Sequence, residues 1–337
     1  MTCPASPRPA SPHPVLPVLA ALAFTALLVA ACTPASDAEP DRSSPAPPSP
    51  TAEADTSDAR PVLPDSLRSP PDAATRARFD SIMHRARIDR LRNEPLGDVI
   101  AAVGRQFSSA PYRAGTLDEP PEETLVVHLD GFDCVTFVET ALALGRGIAQ
   151  GDTSYTGFAQ RLAGLRYRGG TIGYCQRLHY FSDWIDTNRR RGRLRTDLNL
   201  PGRRVLQESV DFMSTHRSSY SRLAASDSLY RCIRNRERTL QAGPGASRPY
   251  VPQDSIRVAY PSLQSGDVIA LITSVDGLFV THTGLAVEQP DGSFGLLHAS
   301  TTEGVMVSPD IQRYVQQIDH QIGIVVARPV AGRHLKG

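Results

Sequence analysis

One cysteine lies where its thiol can act as a nucleophile, in the segment GFDCVTFVETAL at residues 131–142. Asp133 has the side chain of a helix N-cap, so Cys134 falls in the first helical turn. The positive end of a helix dipole and a nearby imidazolium lower a thiol pKa from about 8.5 to roughly 3.5–7.5, and this produces the thiolate. Core packing, a disulfide and a metal site are the other roles open to Cys134. As a nucleophile it needs a histidine within hydrogen-bond reach and a third group that orients this histidine.

Two histidines in the C-terminal part of the chain can supply the partner. His282 lies in THTGLAV and His298 in FGLLHAS, and both segments are apolar and typical of strands. The turn signal QPDGS between them predicts an antiparallel hairpin that brings the two histidines together. A single histidine on a strand is usually a core residue with satisfied hydrogen bonds. Two of them on adjacent strands, combined with Cys134 at a helix start, favour a nucleophilic site.

The elements that must position these residues fall into two groups. Helical patterns cover residues 72–92, the amphipathic segment from Leu96 to Phe107, and most of 155–240. From residue 265 onward the sequence pattern predicts short strands, in the segments GDVIALIT, THTGLAV, FGLLHA and GIVVARP. The segment TLVVHL at 124–129 predicts one more strand. Helices first and strands last predict an α+β domain with segregated layers.

The N-terminal segment has the pattern of an export signal. Residues 15–31 form an uncharged apolar run that is short for a membrane span. Val29-Ala30-Ala31-Cys32 resembles a bacterial lipoprotein cleavage box, which makes 1–31 a signal peptide and Cys32 the lipidated first residue. A plain secretory signal is the alternative. The Pro/Ser-rich residues 32–71 predict a disordered tether, so we expect a lipid-anchored protein of the cell envelope that faces the periplasm.

The remaining cysteines must then be assigned in an oxidising compartment. Cys3 leaves with the signal and Cys32 carries lipid, so Cys134, Cys175 and Cys232 remain. With Cys134 required as a thiol, the other two are left as a possible disulfide. Two buried thiols that pack as small apolar residues are the alternative.

Charge and motif composition exclude two classes of function. The formal net charge is +1, which provides no long-range attraction for nucleic acid. The arginine-rich segment at 189–195 is interpreted as a solvated turn. The chain has no HExxH motif and no close pair of His or Cys ligands, so we expect no metal, no zinc hydrolase and no cofactor.

Several short motifs, in order along the chain, resemble one superfamily of cell-wall hydrolases. They are Asp133-Cys134 at a helix start, Gly266-Asp267-Val268-Ile269 on a strand, His282-x-Gly284 on the next strand, and His298-Ala299-Ser300. This set resembles the NlpC-type hydrolases, which implies a circularly permuted papain-like fold and a Cys–His–polar triad. PYRAGT at 111–116 is similar to a segment that precedes the nucleophile in that superfamily.

Longer strings resemble one branch of this superfamily more closely. GTLD, FDCVTFVETALAL, LRYRGGTIGYCQRLHYFSDWI, FMSTH and LLHAS are similar to bacterial lipoproteins described as N-acetylmuramoyl-L-alanine amidase-like. The resemblance implies a catalytic domain at 72–331 with an inserted helical lobe at about 155–260. It assigns Cys134 as nucleophile, His282 as general base and His298 as the orienting third member. Tyr112 becomes an active-site contact, or else a tyrosine packed in a turn.

The segment RLHYFSDWI at 177–185 is the main candidate for substrate binding. Arginine suits the carboxylates of a stem peptide and aromatic rings suit sugar faces. We therefore expect Arg177, His179 and Tyr180 to contact substrate. An amphipathic helix with its apolar residues in the core is the other reading, and both can hold. The core residues would be Leu178, Phe181, Trp184 and Ile185.

These observations predict a thiol amidase that acts on peptidoglycan or its muropeptide fragments. Cys134 would attack the lactyl carbonyl that joins muramic acid to L-alanine, and His282 would protonate the leaving amine. One alternative is an endopeptidase that cuts between γ-D-glutamate and the diamino acid of the stem peptide. Another is an inert wall-binding lipoprotein that uses the same cleft.

Overall fold

The folded part of the chain is an antiparallel sheet with helices on both faces, in a computed structural model that describes residues 71–207, 209–243 and 247–331. The fold class is therefore α+β, as the sequence predicts. The predicted signal peptide 1–31, Cys32 and the tether up to residue 70 lie outside the described residues. Within the described ranges, no helix is both long and apolar enough to cross a membrane.

The order of elements follows the sequence pattern, with helices in the first half and most strands in the second. The helices are α1 (Ala73–Ile88), α2 (Leu96–Arg105), α3 (Cys134–Gln150), α4 (Tyr155–Arg166), α5 (Phe181–Arg190), α6 (Phe212–Thr215), α7 (Ser221–Ala225), α8 (Asp227–Ala242), α9 (Ile256–Ala259) and α10 (Ile311–Gln316). The strands are β1 (Leu194–Arg195), β2 (Arg204–Gln207), β3 (Ser247–Pro252), β4 (Val268–Thr273), β5 (Val280–Glu288), β6 (Phe294–Ser300), β7 (Gly304–Ser308) and β8 (Gln321–Pro329).

The sheet has the strand order β2-β3-β8-β4-β5-β6-β7, and β1 pairs with β8 outside this path. Every pairing among the described strands is antiparallel. All six residues of β4 are buried, because the strand is central and covered on both faces. Its alternate side chains enter two cores, with Val268 and Ala270 toward the N-terminal helices and Ile269 and Leu271 toward α9 and α10.

Helix α3 is the central helix and carries the candidate nucleophile as its first residue. Every residue from Cys134 to Ile148 is buried, because the helix packs against α2, α4 and β5. Gly145 permits the close approach of α2, since a Cβ at this position would lie 2.7 Å from Cγ1 of Ile100. Gly151 ends the helix in the left-handed conformation, with φ of 76°.

The predicted strand at 124–129 is wrong, because this segment pairs with side chains instead of a neighbouring strand. Arg166 Nη1 donates to the carbonyl of Val126 at 2.7 Å, and the Tyr167 hydroxyl donates to that of Thr124 at 3.0 Å. Arg166 also forms a buried ion pair with Glu139 of α3, at 2.7 Å. The segment is thus held against α3 and α4 without a β-ladder.

The region predicted as a helical insertion, 155–260, contains α4 to α9, and it also contributes β1, β2 and β3 to the sheet. It has a small core of its own, formed by Tyr174, Tyr180, Val210, Met213, Leu223 and Ile233. A disulfide between Cys175 and Cys232 ties α8 to the segment that precedes α5. Of the two alternatives for these cysteines, the structure contains the bridge.

Replacement of Cys175 and Cys232 by serine is expected to lower the free energy of unfolding by about 2–4 kcal/mol, because the bond closes a long loop of 57 residues. Urea denaturation without reductant measures this change. Peptide mapping of the non-reduced wild-type chain should recover the two cysteines in one linked pair of peptides. Separately alkylated peptides would contradict the bridge.

Candidate functional site

Cys134 is fixed at the start of α3 by a capping box. Oδ1 of Asp133 accepts hydrogen bonds from the backbone N–H groups of Val135 at 3.0 Å and Thr136 at 2.7 Å. The hydroxyl of Thr136 accepts in return from the backbone N–H of Asp133, at 3.0 Å. This cap holds the Cys134 side chain at the positive end of a helix of 17 residues.

The two histidines meet across the predicted hairpin. Strands β5 and β6 pair antiparallel, with Leu285 opposite Leu297, so the hairpin prediction is confirmed. Nε2 of His282 lies 2.8 Å from Nδ1 of His298, and the two rings are perpendicular. Nε2 of His298 lies 3.0 Å from the hydroxyl oxygen of Ser308. The three side chains therefore form a continuous hydrogen-bonded chain.

Both rings are neutral at neutral pH because they are removed from water. Burial lowers the pKa of His282 to about 3, and the neighbouring His298 contributes in the same direction. Burial alone lowers the pKa of His298 to about 4. Tyr314 of α10 packs against the pair, with its ring centroid 4.7 Å from that of His298. A neutral imidazole can act as a proton acceptor.

Cys134 and His282 open into one pocket with an empty volume of about 620 Å³. The other side chains that line it are mostly aromatic or apolar, and many come from the region 155–260. They are Asp118, Val135, Tyr174, His179, Tyr180, Phe181, Phe212, Met213, Tyr220, Leu278, Val280, Thr281 and Thr283. Asp118 is the one carboxylate and no Lys or Arg lines the pocket, among the residues that the structure describes. In the same part of the chain, no three His, Cys, Asp or Glu side chains converge as metal ligands.

Tyr112 lies beside the segment that leads to Cys134. A parallel bridge joins Tyr112 to Phe132, and the N–H of Phe132 donates to the carbonyl of Pro111 at 3.1 Å. The Tyr112 hydroxyl is buried and makes no hydrogen bond with any described residue. Burial, followed by the charges of Asp133 and Tyr314, raises the pKa of Tyr112, so the hydroxyl keeps its proton and remains a donor.

Arg177 lies inside the protein, whereas the sequence predicted that it would face the cleft. Its guanidinium pairs with Asp118, donates to the carbonyl of Leu117 at 3.0 Å and lies 3.5 Å from Glu123. A buried guanidinium requires such partners, and they leave Arg177 away from the pocket lining. Arg177 therefore positions Asp118 at the pocket wall, and this contact replaces the direct contact with substrate that the sequence suggested.

His179 and Tyr180 do line the pocket, with their polar atoms bound inside the lobe. Nε2 of His179 lies 2.7 Å from the carbonyl of Tyr174, and burial lowers the pKa of this histidine well below its usual value. The Tyr180 hydroxyl donates to Glu237 at 2.6 Å and accepts from the N–H of Met213 at 2.9 Å. Both rings are thus fixed walls of the pocket.

The core prediction for the rest of RLHYFSDWI is confirmed, although α5 begins only at Phe181. The buried residues are Leu178, Phe181, Trp184 and Ile185. The sequence analysis did not identify Ser308 and Asp118, nor Tyr174, Phe212 and Tyr220, which the lobe adds to the pocket beside the predicted Tyr180. Asp118 lies in the string GTLD and Phe212 in FMSTH. Both strings indicate the family, but they assign neither residue a role in the pocket.

A cysteine in the first turn of a helix, with one histidine of a hydrogen-bonded pair in the same pocket, is suited to nucleophilic cleavage of an amide or ester. The family model described as AmiA-like, N-acetylmuramoyl-L-alanine amidase-like, matches residues 102–324. This match covers more than half of the chain, which therefore belongs to the N-acetylmuramoyl-L-alanine amidase-like family. The resemblance to the N-acetylmuramoyl-L-alanine amidase-like proteins that the sequence indicates is confirmed. No curated protein matches the chain.

Solved structures agree with this family. A crystal structure of a N-acetylmuramoyl-L-alanine amidase from Bacteroides uniformis has 33% identity and a TM-score of 0.63, covering 69% of this chain and 98% of that one. A Bacteroides fragilis protein, described as a candidate xylanase, has 37% identity and a TM-score of 0.61, covering 67% of this chain and 98% of that one. A Legionella pneumophila protein with 21% identity and a TM-score of 0.57 shares the fold, covering 77% and 97%.

The internal position of Arg177 leads to a prediction about stability. Arg177→Ala should lower the free energy of unfolding by about 3 kcal/mol, because Asp118 loses its buried cation and Glu123 keeps only Arg222. Urea denaturation measures the effect. The control is Arg189→Ala, since its side chain is 48% exposed and lies 3.9 Å from Asp186. We expect this variant to stay within about 1 kcal/mol of wild type. Wild-type stability of Arg177→Ala, combined with a raised KM, would instead indicate a direct substrate contact.

Proposed function

We propose that this protein is a thiol-dependent N-acetylmuramoyl-L-alanine amidase, which hydrolyses the amide between the lactyl group of muramic acid and the stem-peptide L-alanine. Membership of the amidase-like family and the name of the Bacteroides uniformis neighbour support the reaction. The observation that carries the proposal is the shared pocket, in which Cys134 and His282 lie beside the aromatic wall of the lobe.

The proposed chemistry begins at the thiol of Cys134. His282 accepts the thiol proton on Nδ1, because its Nε2 is already bound to His298. The sulfur attacks the lactyl carbonyl carbon, and the electron pair of the C=O bond moves to the oxygen. When the tetrahedral intermediate collapses, the C–N bond breaks and His282 gives its proton to the leaving amine of L-alanine. A muramyl thioester on Cys134 remains.

Water completes the reaction by hydrolysing the thioester. His282 removes a proton from water, the hydroxide attacks the carbonyl carbon, and the C–S bond breaks as His282 returns the proton to sulfur. In both steps the oxyanion needs hydrogen-bond donors. The backbone N–H of Cys134, in the first turn of α3, and the buried hydroxyl of Tyr112 are the donors that we assign.

The composition of the pocket favours the sugar side of the scissile bond. Tyr180, Tyr220 and Phe181 line the pocket with aromatic rings, which suit a pyranose, and Asp118 can accept hydrogen bonds from sugar hydroxyls. A stem peptide carries several carboxylates, and no Lys or Arg among the described lining residues could neutralise them in this pocket. We therefore assign the pocket to the muramyl group and place the stem peptide outside it.

The wider setting of the enzyme is part of the same proposal. A helix that starts with Cys134 and packs on a later antiparallel sheet bearing His282 supports an NlpC-type, permuted papain-like fold. The proposal also includes a lipid anchor on Cys32 and exposure to the periplasm. Its substrate would be peptidoglycan or muropeptides. These assignments depend on the sequence patterns of the N-terminal segment and on the family.

Two other hydrolytic activities fit the site less well. A glycosidase of the usual type needs two carboxyl groups about 5–9.5 Å apart. Asp118 is the single carboxylate that lines the pocket within the described ranges, which disfavours the xylanase activity suggested by one neighbour. An endopeptidase of the same superfamily would have to place peptide carboxylates against the aromatic wall. An inert binding protein would not need the ordered contacts of His282, His298 and Ser308.

Digestion of MurNAc-L-Ala-γ-D-Glu-diamino acid tests the proposal. The wild-type chain should release free MurNAc and the intact tripeptide, identified by liquid chromatography and mass spectrometry. Cys134→Ala should release neither, and His282→Ala should lower the rate by roughly 10²–10⁴-fold, as for a lost general base. Circular dichroism controls for folding of both variants. MurNAc-L-Ala-D-Glu with a free diamino acid would identify an endopeptidase, and product from Cys134→Ala would exclude a cysteine nucleophile.

A further inference from the structure

A second pocket lies beside α5, toward the β2 edge of the sheet, and has an empty volume of about 450 Å³. Strands β1 and β3 both pair with β8, and Val325 and Val326 lie between the two pairings and line the pocket. Most of the other lining residues are apolar or aromatic, among them Ile185 and Tyr250. The proposed reaction does not involve this pocket.

Four polar residues line the second pocket, among those that the structure describes, and together they carry one net positive charge. They are Asp186, Thr196, Arg203 and Arg248. The guanidinium of Arg248 donates to both carboxylate oxygens of Asp186, at 3.1 Å and 2.7 Å, so these two charges are matched. Arg203 is exposed and forms no ion pair with any described carboxylate. It is therefore the cation that can bind an incoming anion.

The second pocket shares walls with the pocket of Cys134. Phe181 of α5 lines the Cys134 pocket, and Ile185, four residues further along the helix, lines the second pocket. Four residues of helix advance about 6 Å, which is less than the roughly 10 Å that three extended residues span. The guanidinium of Arg248 also lies 5.7 Å from the ring centroid of Phe279, whose two neighbours in sequence line the Cys134 pocket. A short peptide is thus long enough to reach from one pocket to the other.

The two pockets differ in charge as the two parts of a muropeptide do. The Cys134 pocket contains aromatic rings and Asp118, with no Lys or Arg among the described lining residues, and this composition suits a sugar. The second pocket has an arginine without a matching carboxylate, beside apolar residues. A guanidinium binds a carboxylate through paired, charge-assisted hydrogen bonds, and apolar residues suit the aliphatic chain of a diamino acid. These properties fit a stem peptide.

We propose that the second pocket binds the stem peptide of the substrate and that Arg203 binds one of its carboxylates. The assignment rests on the proposed function, because the muramyl group must occupy the Cys134 pocket for the peptide to extend into the second one. Arg203 contacts the substrate away from the bond that breaks, so this contact is the same in the bound substrate and in the transition state. The loss of such a contact raises KM and leaves kcat unchanged.

Binding of the free tripeptide L-Ala-γ-D-Glu-diamino acid to the full chain tests the site without turnover. Isothermal titration calorimetry should show that Arg203→Gln binds this peptide about 10–100-fold more weakly than wild type, as for a lost hydrogen bond to a charged group. Arg204→Gln is the matched control and should bind as wild type does. Arg204 is the next residue and is also exposed, but it is not among the described residues that line the pocket.

Two further comparisons identify the group that Arg203 binds. Wild type should bind a tripeptide whose carboxylates are converted to amides at least as weakly as Arg203→Gln binds the acid. Arg203→Gln should also raise KM for the MurNAc-tripeptide by about the same factor as Kd. Its KM for MurNAc-L-Ala, which lacks the distal carboxylates, should equal that of wild type.

Three results would overturn the proposal: no binding of the tripeptide by wild type, equal affinity of Arg203→Gln and wild type, or equal weakening in the Arg203 and Arg204 variants. The last of these would indicate a general attraction between charges instead of a site. Cleavage between D-Glu and the diamino acid, combined with tripeptide binding that depends on Arg203, would contradict the proposed function alone.

Discussion

The hydrogen bond between Nε2 of His282 and Nδ1 of His298 is the contact on which the rest of the site depends. In the proposed reaction it assigns the proton transfer to Nδ1 of His282, and it exists only in one register of β5 against β6. A slip of one residue would turn one histidine to the other face of the sheet. The buried β4 and the helix α3 hold this register, because Leu285 and Leu297, which are opposite each other in the two strands, are buried in the same core as α3.

The lobe at 155–260 supplies the second wall of the pocket, and its polar contacts are internal. Arg177 holds Asp118, Glu237 holds the hydroxyl of Tyr180, and the bridge of Cys175 with Cys232 ties the wall to α8. Such contacts add little net stability but cost several kcal/mol when one partner is removed. They make the aromatic wall rigid. A rigid wall can present a preformed surface to substrate and lose little entropy on binding.

The sequence predicts those helices and strands whose ends and faces are determined by local residue patterns. The start of α3 at Cys134, the hairpin of β5 and β6, and the strands β4 and β8 all follow from capping residues, turn signals and apolar runs. Residues 124–129 look like a strand because they are apolar, but their backbone partners come from distant side chains such as Arg166. Strand β7 has only five residues, and no turn motif in the sequence marks its start, so it was not predicted.

The position of Arg177 shows that, in the candidate site too, a local sequence pattern does not determine the contacts of a side chain. An arginine next to aromatic residues is compatible with substrate binding and with a buried ion pair, and the choice depends on Asp118 and Glu123, about 60 residues away in sequence. Contacts at such separation are not visible in one sequence. The histidine pair was accessible because its two members lie on adjacent strands, whereas Ser308 lies on the strand that the pattern missed.

Mass spectrometry of an acid-quenched reaction tests the proposed mechanism most directly, since this mechanism requires a covalent intermediate on Cys134. During turnover of a muropeptide, the intact protein should gain the mass of a muramyl acyl group, located on the peptide that contains Cys134. The adduct should be absent from Cys134→Ala. A peptidyl adduct on Cys134 would contradict the assigned bond. Rapid turnover with muramyl acyl groups on any other residue would contradict the assigned nucleophile.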